Sequence, residues 1–255
     1  MHGIALVTGA RRGIGRAIAL ALAEDGFDVA LNDLEPSDEM AVLCDEIIAL
    51  GRKAVPVAGD IGDCAQHARM LDEAEAGLGP LTTLINNAGV GVLNRGDLLD
   101  VSAASYDRCQ GVNARGTFFL TQAFAKRLLA REQAAGVHHS IVTVSSANAV
   151  APSISRGEYC MSKAAASMMS RLFAARLSDD GIGVYEIQPG FIETEMTAPA
   201  KARYDGLIAG GMTTIRRWGQ PEEVARIALT LASGLLPYTS GQVVQADGGL
   251  LTVRY

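Results

Sequence analysis

A chain of 255 residues that is 49% hydrophobic can bury one large core, and we expect a single domain spanning residues 1–255. The formal net charge of −6 argues against a nucleic-acid partner, because binding to a phosphate backbone needs clustered Lys and Arg side chains. The chain has no apolar run long enough to cross a bilayer and no basic leader with an apolar signal core. We therefore expect a cytoplasmic protein with no membrane contact.

Short apolar runs rich in β-branched residues alternate along the chain with longer segments of helical periodicity. Seven runs are predicted to be strands: 4–8, 29–32, 54–57, 84–86, 141–144, 184–188 and 243–246. Six segments carry helix formers at i, i+3 and i+4 spacing: 13–24, 37–50, 65–76, 116–131, 157–177 and 221–232. Strands that are apolar on both faces indicate a parallel sheet covered by helices on both sides. We predict an α/β, doubly wound Rossmann fold with a seven-stranded parallel sheet.

A glycine-rich turn follows the first predicted strand and opens the first helix. It reads Thr-Gly-Ala-Arg-Arg-Gly-Ile-Gly over residues 8–15. Such a turn lets a pyrophosphate approach the backbone, where the helix N-terminus offers free N–H groups and a partial positive charge. The candidate cofactor contacts here are Gly9, Arg11, Arg12, Gly13, Ile14 and Gly15. A tight strand-to-helix turn without a ligand is the alternative interpretation.

Asp33 ends the second predicted strand, where the adenosine ribose of a dinucleotide would lie. Its carboxylate can accept hydrogen bonds from both ribose hydroxyls, whereas a 2′-phosphate there would meet like charge. This favours NAD over NADP. Arg11 and Arg12 argue the other way, because an arginine in the glycine turn could pair with a 2′-phosphate. A solvated or helix-capping acid is the alternative for Asp33.

Two further groups follow the third and fourth strands, at the sheet edge where ligands bind in open α/β folds. Asp60 and Ile61 are placed to reach the adenine, and the backbone of Asn87, Ala88 and Gly89 is placed to line the cofactor trench. The alternative is that Asn87 and Gly89 simply build a turn.

Tyr159 and Lys163 lie one turn apart on the same face of a predicted helix. A nearby ammonium stabilises the phenolate form of a tyrosine, so the pair is suited to proton transfer. Ser146, at the end of the fifth strand, can hydrogen-bond a substrate oxygen, and Ser145 is the less favoured donor. Asn113, placed at the start of a long helix, could hold a water that joins Lys163 to solvent. An isolated Tyr-x-x-x-Lys pair would usually be an ordinary surface pair.

The segment 194–219 is the least regular part of the chain, with Pro199, Gly206, Gly210 and Gly211 along it. We interpret it as a mobile flap over the substrate, with a loop of no function as the alternative. Candidate substrate contacts are Asn148 and the flap residue Met196. For Asn148, a turn residue that bonds its own backbone is an equal alternative.

Taken together, these motifs resemble those of the short-chain dehydrogenase/reductase family over nearly the whole chain. The resemblance rests on the glycine turn, Asp60, the segment 86–89, Asn113, Ser146, Tyr159, Lys163 and the Pro189-Gly190 pair. It implies that Asn113, Ser146, Tyr159 and Lys163 form a catalytic tetrad, with Tyr159 as general acid and base and Lys163 also holding the nicotinamide ribose. It further implies that Pro189, Gly190, Ile192 and Thr194 fix the nicotinamide. No metal is required.

The style of the sequence is close to that of 3-oxoacyl-(acyl-carrier-protein) reductases and of related sugar or polyol dehydrogenases. The carrier-docking arginines of those reductases align with Val137 and Asp180 here, and neither residue attracts an acidic carrier. Arg127, Arg131, Arg156 and Arg176 could still offer a local basic patch. We therefore expect a small soluble alcohol such as a sugar or polyol, with an acyl-carrier substrate as the alternative.

Two further expectations concern activity and assembly. A non-catalytic NAD-binding regulator on the same fold is a remote alternative, which the intact tetrad argues against. The resemblance implies a homotetramer in which the helices 113–131 and 157–177 pair across one two-fold axis and the last strand meets its copy across another.

Overall fold

The computed structural model describes residues 3–132 and 136–253. Seven parallel strands form one sheet in the order β3-β2-β1-β4-β5-β6-β7. The strands are β1 Ile4–Thr8, β2 Asp28–Asp33, β3 Ala54–Ala58, β4 Thr83–Asn86, β5 His139–Val144, β6 Ile182–Pro189 and β7 Val243–Ala246. The predicted doubly wound Rossmann fold is confirmed, with strand ends displaced by two residues at most.

Eight α-helices lie in the described ranges: α1 Gly13–Glu24, α2 Asp38–Ala49, α3 His67–Leu78, α4 Ala103–Cys109, α5 Thr117–Leu129, α6 Gly157–Leu177, α7 Lys201–Ala209 and α8 Pro221–Ala232. Helices α1, α2 and α8 pack on one face of the sheet, and α3, α5 and α6 pack on the other. All eight residues of β6 are buried, as expected for a strand covered on both faces.

All six predicted helices are present, and their ends follow local capping rules. Ser37 caps α2, since its side chain accepts a hydrogen bond from the backbone N–H of Met40. Pro221 begins α8, and Gln220 and Glu223 form a reciprocal capping box there.

Three elements were not anticipated. Helix α4 was missed, and Asn113 lies within a π-helical segment, Gln110–Gly116, rather than at the start of α5. The segment 194–219 contains α7, so the expectation that it is irregular was wrong for that stretch. Gly206 disfavours a helix, but Tyr204 and Ile208 lie one turn apart and are both buried, so tertiary packing stabilises α7.

Within the described residues, no helix is both long and apolar enough to span a membrane. The sheet order reverses between β1 and β4, which is the point where a doubly wound sheet opens a crevice at the carboxyl ends of its strands. The turns that follow these strands carry the residues singled out in the sequence.

Candidate active site

The glycine turn between β1 and α1 is built for close approach of a ligand to the backbone. Gly9 and Gly13 have φ angles of 62° and 56°, a conformation that side chains disfavour. A Cβ atom on Gly15 would lie 2.1 Å from the carbonyl oxygen of Gly9. The first turn of α1 therefore packs directly on the loop. Its N–H groups, including that of Ile14, have no partner within the helix and could bind a pyrophosphate.

Asn87 locks the end of β4 to this turn. Its amide donates to the carbonyl oxygens of Thr8 and Gly9 at 2.9 and 3.1 Å. The Thr8 hydroxyl accepts from the backbone N–H groups of Asn87 and Ala88, each at 3.0 Å. The Asn87 side chain thus stabilises the turn. Only the backbone after Asn87 is left to line the predicted cofactor trench.

Asp33 and the two arginines of the glycine turn are already paired with opposite charges. Arg11 Nε lies 3.8 Å from Asp33 Oδ2, and Asp33 Oδ1 accepts a 2.8 Å hydrogen bond from the Leu34 N–H. Arg12 forms an ion pair with Glu195, at the start of the segment 194–219. Arg11 and Asp33 therefore lie together where the adenosine ribose would bind, and Arg12 connects the glycine turn to the flap.

Asp60 and Ile61 follow β3 on the same edge. Asp60 Oδ1 accepts a 2.7 Å hydrogen bond from the Gly62 N–H. Ile61 is buried, and its carbonyl oxygen lies 2.8 Å from His67 Nε2. A Cβ on Gly116 would lie 2.3 Å from that same oxygen, so glycine lets the π-helical segment pack directly on this loop.

Tyr159 and Lys163 emerge from the first two turns of α6. Lys163 is only 6% exposed; its Nζ donates to the Val144 carbonyl oxygen at 3.1 Å and lies 5.8 Å from the centroid of the Tyr159 ring. Burial of an ammonium is costly unless it is hydrogen-bonded, and the end of β5 supplies one acceptor. The remaining N–H groups of Lys163 are free for a ribose hydroxyl or a water.

Asn113 lies beside Lys163, held by three hydrogen bonds. Its amide donates to the Val90 carbonyl and to Ser162 Oγ, each at 2.9 Å, and its Oδ1 accepts from the Val90 N–H at 2.8 Å. A Cβ on Gly89 would stand 3.2 Å from Asn113 Oδ1 and 3.4 Å from Lys163 Nζ. The glycine therefore keeps the space between these two groups open. Single-turn π-helical insertions are frequent at functional sites, which fits this placement of Asn113.

Ser146 is the better placed of the two serines after β5. Its Oγ accepts a 3.1 Å hydrogen bond from the Asn148 N–H, which leaves the hydroxyl proton for another acceptor. Ser145 instead donates to the buried carboxylate of Glu186. The geometry therefore agrees with the preference for Ser146.

Two buried acids behind the site were not singled out in the sequence. Glu186 accepts hydrogen bonds from three residues: Ser145, Ser167 at 2.7 Å and Gln188 at 2.8 Å. Glu158, next to Tyr159, accepts from Ser105 at 2.6 Å. An acid in the middle of an apolar strand was the available signal for Glu186, because such a group needs several buried donors.

The residues predicted to fix a nicotinamide follow β6. A Cβ on Gly190 would lie 2.8 Å from the Asp247 Cα, and the Gly190 N–H donates to Ala246 O at 3.0 Å, so Pro189-Gly190 packs directly against the loop after β7. Ile192 is buried and forms a bridge with Gly219, which closes the base of the flap. The side chain of Thr194 would lie 3.4 Å from a Cβ on Gly13, so the flap begins over the glycine turn.

The candidate substrate residues have different surroundings. The Asn148 amide donates to the Ala151 carbonyl at 2.8 Å, which is the turn interpretation left open by the sequence. Met196 is 57% exposed on the flap. Phe191, which precedes the flap, stacks on Tyr204 with ring centroids 4.6 Å apart, and Trp218 packs against both rings.

Comparison with known proteins identifies relatives over the full length. Residues 9–251 match the family model described as Enoyl-(Acyl carrier protein) reductase. A short-chain type dehydrogenase/reductase of Picea abies is 32% identical, covering 96% of this chain and 91% of its own. The 2-dehydro-3-deoxy-D-gluconate 5-dehydrogenase of Dickeya dadantii is 30% identical, covering 97% and 95%.

Solved structures are also similar to this chain over nearly its whole length. The 3-oxoacyl-[acyl-carrier protein] reductase of Brucella melitensis in complex with NAD is 40% identical with a TM-score of 0.96, covering 100% of this chain and 99% of its own. An Agrobacterium tumefaciens structure with bound NADP is 32% identical with a TM-score of 0.86, covering 98% and 97%. Similar proteins with NAD and with NADP therefore share this fold.

Proposed function

The chain belongs to the short-chain dehydrogenase/reductase family, and from that premise we propose that it interconverts a small secondary alcohol, such as a sugar or polyol, and its ketone. The observation that carries the proposal is the convergence of Tyr159, Lys163, Asn113 and Ser146 at the carboxyl edge of the sheet, beside the glycine turn. Lys163, Asn113 and Ser146 are each held by a hydrogen bond, and the Tyr159 ring lies against Lys163.

Tyr159 is the proposed general acid and base. In alcohol oxidation, its phenolate oxygen takes the hydroxyl proton while Ser146 holds the same substrate oxygen through a hydrogen bond. The Lys163 ammonium stabilises the phenolate electrostatically, and Asn113 positions a water that links Lys163 to solvent. A bound nicotinamide supplies the hydride acceptor. In the reductive direction, Tyr159 returns the proton to the carbonyl oxygen.

For the cofactor, we propose a preference for NAD. Asp33 would repel a 2′-phosphate, and both arginines that could counter this are neutralised by acids, Arg11 by Asp33 and Arg12 by Glu195. The pyrophosphate would bind at Gly13 and Gly15, and Lys163 would hold the nicotinamide ribose.

The arginines that could form a basic patch offer little free charge to an acidic carrier protein, which favours a small substrate. Of the four arginines that could form a basic patch, three already bind carboxylates. Arg127 pairs with Asp72 and Glu75, Arg131 pairs with Glu75, and Arg176 pairs with Asp180. Since pairs of this kind cancel much of the local potential, they would attract an acidic partner poorly.

The second candidate is a 3-oxoacyl-(acyl-carrier-protein) reductase. It is favoured by one observation, the 40% identity to the Brucella melitensis protein of that name. A non-catalytic regulator is disfavoured, because the four groups of the tetrad are all present and oriented.

Initial rates with NAD and NADP over sugars, polyols, sugar acids and simple secondary alcohols test the proposal directly. They should be run beside acetoacetyl-thioester reduction with NADH and NADPH. Rapid NAD-linked oxidation of one small alcohol is the expected result. Efficient NADPH-linked thioester reduction, with no activity on the alcohols, would instead establish the second candidate.

Substitution of Tyr159 by Phe separates proton transfer from binding. The variant keeps the aromatic ring but loses the hydroxyl, so turnover should fall by about 100-fold or more while the Kd for NADH stays within about 3-fold. Fluorescence titration with NADH measures this Kd. An active Tyr159→Phe enzyme would refute the assignment of the proton donor.

A further inference from the structure

Arg156 differs from Arg127, Arg131 and Arg176, which all pair with carboxylates. It forms no ion pair with a carboxylate anywhere in residues 3–132 or 136–253, and its buried Nε has no hydrogen-bond partner. Its guanidinium carbon lies 5.3 Å from the centroid of the Tyr159 ring. A charged group is thus held, without a counter-ion, against the side chain that carries the proposed proton transfer.

The position of Arg156 leaves its charge without a carboxylate partner. Arg156 immediately precedes α6, and the N-terminus of a helix carries a partial positive charge. The acid in the first turn, Glu158, is buried and accepts a hydrogen bond from Ser105, and it forms no ion pair with Arg156. The start of α6 therefore presents a guanidinium without a carboxylate partner beside Tyr159.

Local packing fixes the backbone around Arg156 before any ligand binds. Residues Ile154–Arg156 form a short 3₁₀ turn that leads directly into α6. A Cβ on Gly157 would lie 2.3 Å from Leu98 Cδ1, so the loop after β4 packs directly on this turn. Stacking on Tyr159 uses the face of the guanidinium and leaves N–H groups at its edge available to a ligand.

We propose that Arg156 is a specificity-determining residue that binds a carboxylate of the substrate, and that the substrate is therefore a hydroxy acid, such as a sugar acid, rather than a neutral polyol. This inference rests on the proposed function, which it makes more specific. Arginine is suited to the task because its planar fork matches both oxygens of a carboxylate. In a chain with a net charge of −6, a local cation is also what recruits an anionic substrate.

The distance to Tyr159 limits the kind of acid. Because the guanidinium lies against the Tyr159 ring, a carboxylate paired with Arg156 would lie in the same part of the site as the carbon that is oxidised, with a short chain between them. A compact hydroxy acid meets this condition. The phosphate of a carrier-bound acyl group does not, because the whole pantetheine arm lies between the phosphate and the keto carbon.

Matched pairs of an aldonate and its alditol test the inference, for example D-gluconate with D-glucitol and D-galactonate with D-galactitol. Within a pair, only the terminal carbon differs, being a carboxylate in one and a hydroxymethyl group in the other. Calorimetric titration in the presence of NAD gives Kd for each, and initial rates give kcat and KM. The enzymes compared are wild type, Arg156→Gln, Arg156→Lys and Lys53→Gln.

Lys53 is the control for charge, because it is an exposed cation that precedes β3 and so lies at the opposite edge of the sheet. Wild type and Lys53→Gln should bind at least one aldonate about 10- to 100-fold more tightly than its alditol, since hydrogen bonds to charged groups are of that strength. Arg156→Gln should remove this preference through Kd and KM, with affinity for the alditol unchanged. Arg156→Lys should keep an intermediate preference.

Three results would overturn the inference. The first is that wild type binds no aldonate more tightly than its alditol, and the second is that the preference survives in Arg156→Gln. The third is an equal loss of kcat for both members of a pair with a displaced pH–rate profile, which would mean that Arg156 acts on Tyr159. Failure of the proposed function looks different: an Arg156-dependent preference in binding would remain, but no hydride transfer to NAD or NADP would be measured.

Discussion

At the scale of single residues, the site is a set of charged groups that are each held by one or two neighbours. Lys163 donates to Val144 O, Asp33 pairs with Arg11, and Arg12 pairs with Glu195. Such pairs keep side chains in position before a ligand arrives, which reduces the ordering that binding would otherwise require. The Arg11–Asp33 pair leads to a prediction about cofactor choice.

Replacement of Asp33 by Ala should lower the affinity for NAD and raise the affinity for NADP. The substitution removes two acceptors for the ribose hydroxyls, and it frees Arg11 to pair with a 2′-phosphate. We expect the ratio of kcat/KM for NAD over NADP to fall by about 10-fold or more. Initial rates with both cofactors provide the measurement.

The double variant Arg11→Ala/Asp33→Ala identifies the source of any gain. If Arg11 is the group that meets the phosphate, the NADP activity gained in Asp33→Ala should be lost again. An unchanged cofactor ratio in Asp33→Ala itself would mean that selectivity lies elsewhere in the glycine turn.

At the scale of secondary-structure elements, helices α3 and α5 are joined by a cluster of charges on the face of the sheet that they cover. Glu75 of α3 accepts hydrogen bonds from Arg131 and Arg127 at 2.6 and 2.7 Å. Burial acts to raise the pKa of Glu75, but the hydrogen bonds from the two guanidinium groups and from the Leu81 N–H prevail, and the pKa is lowered overall.

Replacement of Glu75 by Gln should therefore destabilise the protein at neutral pH and have less effect in acid. A carboxyl group whose pKa is lowered by folding adds stability above its unfolded value, near ~4.3, and this stability is lost as the pH falls through the folded value. We expect a loss of about 1–2 kcal/mol in the free energy of unfolding at pH 7. Urea denaturation at neutral pH and near pH 3 gives the comparison.

Glu73 of the same helix is the matched control. It pairs with Arg69 at i,i+4, and both side chains are nearly half exposed, so Glu73→Gln should change the free energy of unfolding by less than about 0.5 kcal/mol. An equal loss in the two variants, or a loss in Glu75→Gln that does not depend on pH, would contradict the assigned role of the cluster.

At the scale of the whole molecule, one continuous sheet connects every strand, and we propose that the chain is one domain. The outer faces of α5 and α6 expose large apolar side chains. Phe119, Met168 and Leu172 are 39%, 52% and 58% exposed. Clusters of this kind often mark an interface, and they support the proposed homotetramer in which these helices pair with those of a second copy.

Substitution of Leu172 by Glu should disrupt that assembly. A charge in the middle of a helix–helix interface would be desolvated without a partner, so the native mass should fall from four chains to two or one. Light scattering coupled to size exclusion measures the mass. Ile48→Glu, at a comparably exposed site on α2, should leave it unchanged; a monomeric wild type would rule out the homotetramer.

Much of this architecture could be predicted from local patterns. The alternation of apolar runs and helical periodicity predicted all seven strands and six of the helices, because strand and helix preferences act over neighbouring residues. The glycine turn and the Tyr159–Lys163 spacing predicted the site as well, because both are short-range geometric requirements.

The features that only the tertiary structure decided depend on contacts between residues far apart in the chain. Helix α7 forms because Tyr204 and Ile208 are buried, and Tyr204 packs against Phe191 and Trp218. Asn113 lies in a π-helical segment that packs on Ile61. The pairing of Arg12 with Glu195 joins positions 183 residues apart. No local pattern encodes such contacts, since they depend on how the sheet edge brings its loops together.

The same reason explains the position of Arg156. The sequence showed a basic residue three positions before Tyr159 and grouped it with the other arginines of a possible patch. In the folded chain, Arg127, Arg131 and Arg176 form ion pairs with acids, whereas Arg156 forms none with a described residue. The sequence therefore determines which residues are charged. Packing decides which of these charges remain free to bind a ligand, because an ion pair needs a partner that is close in space.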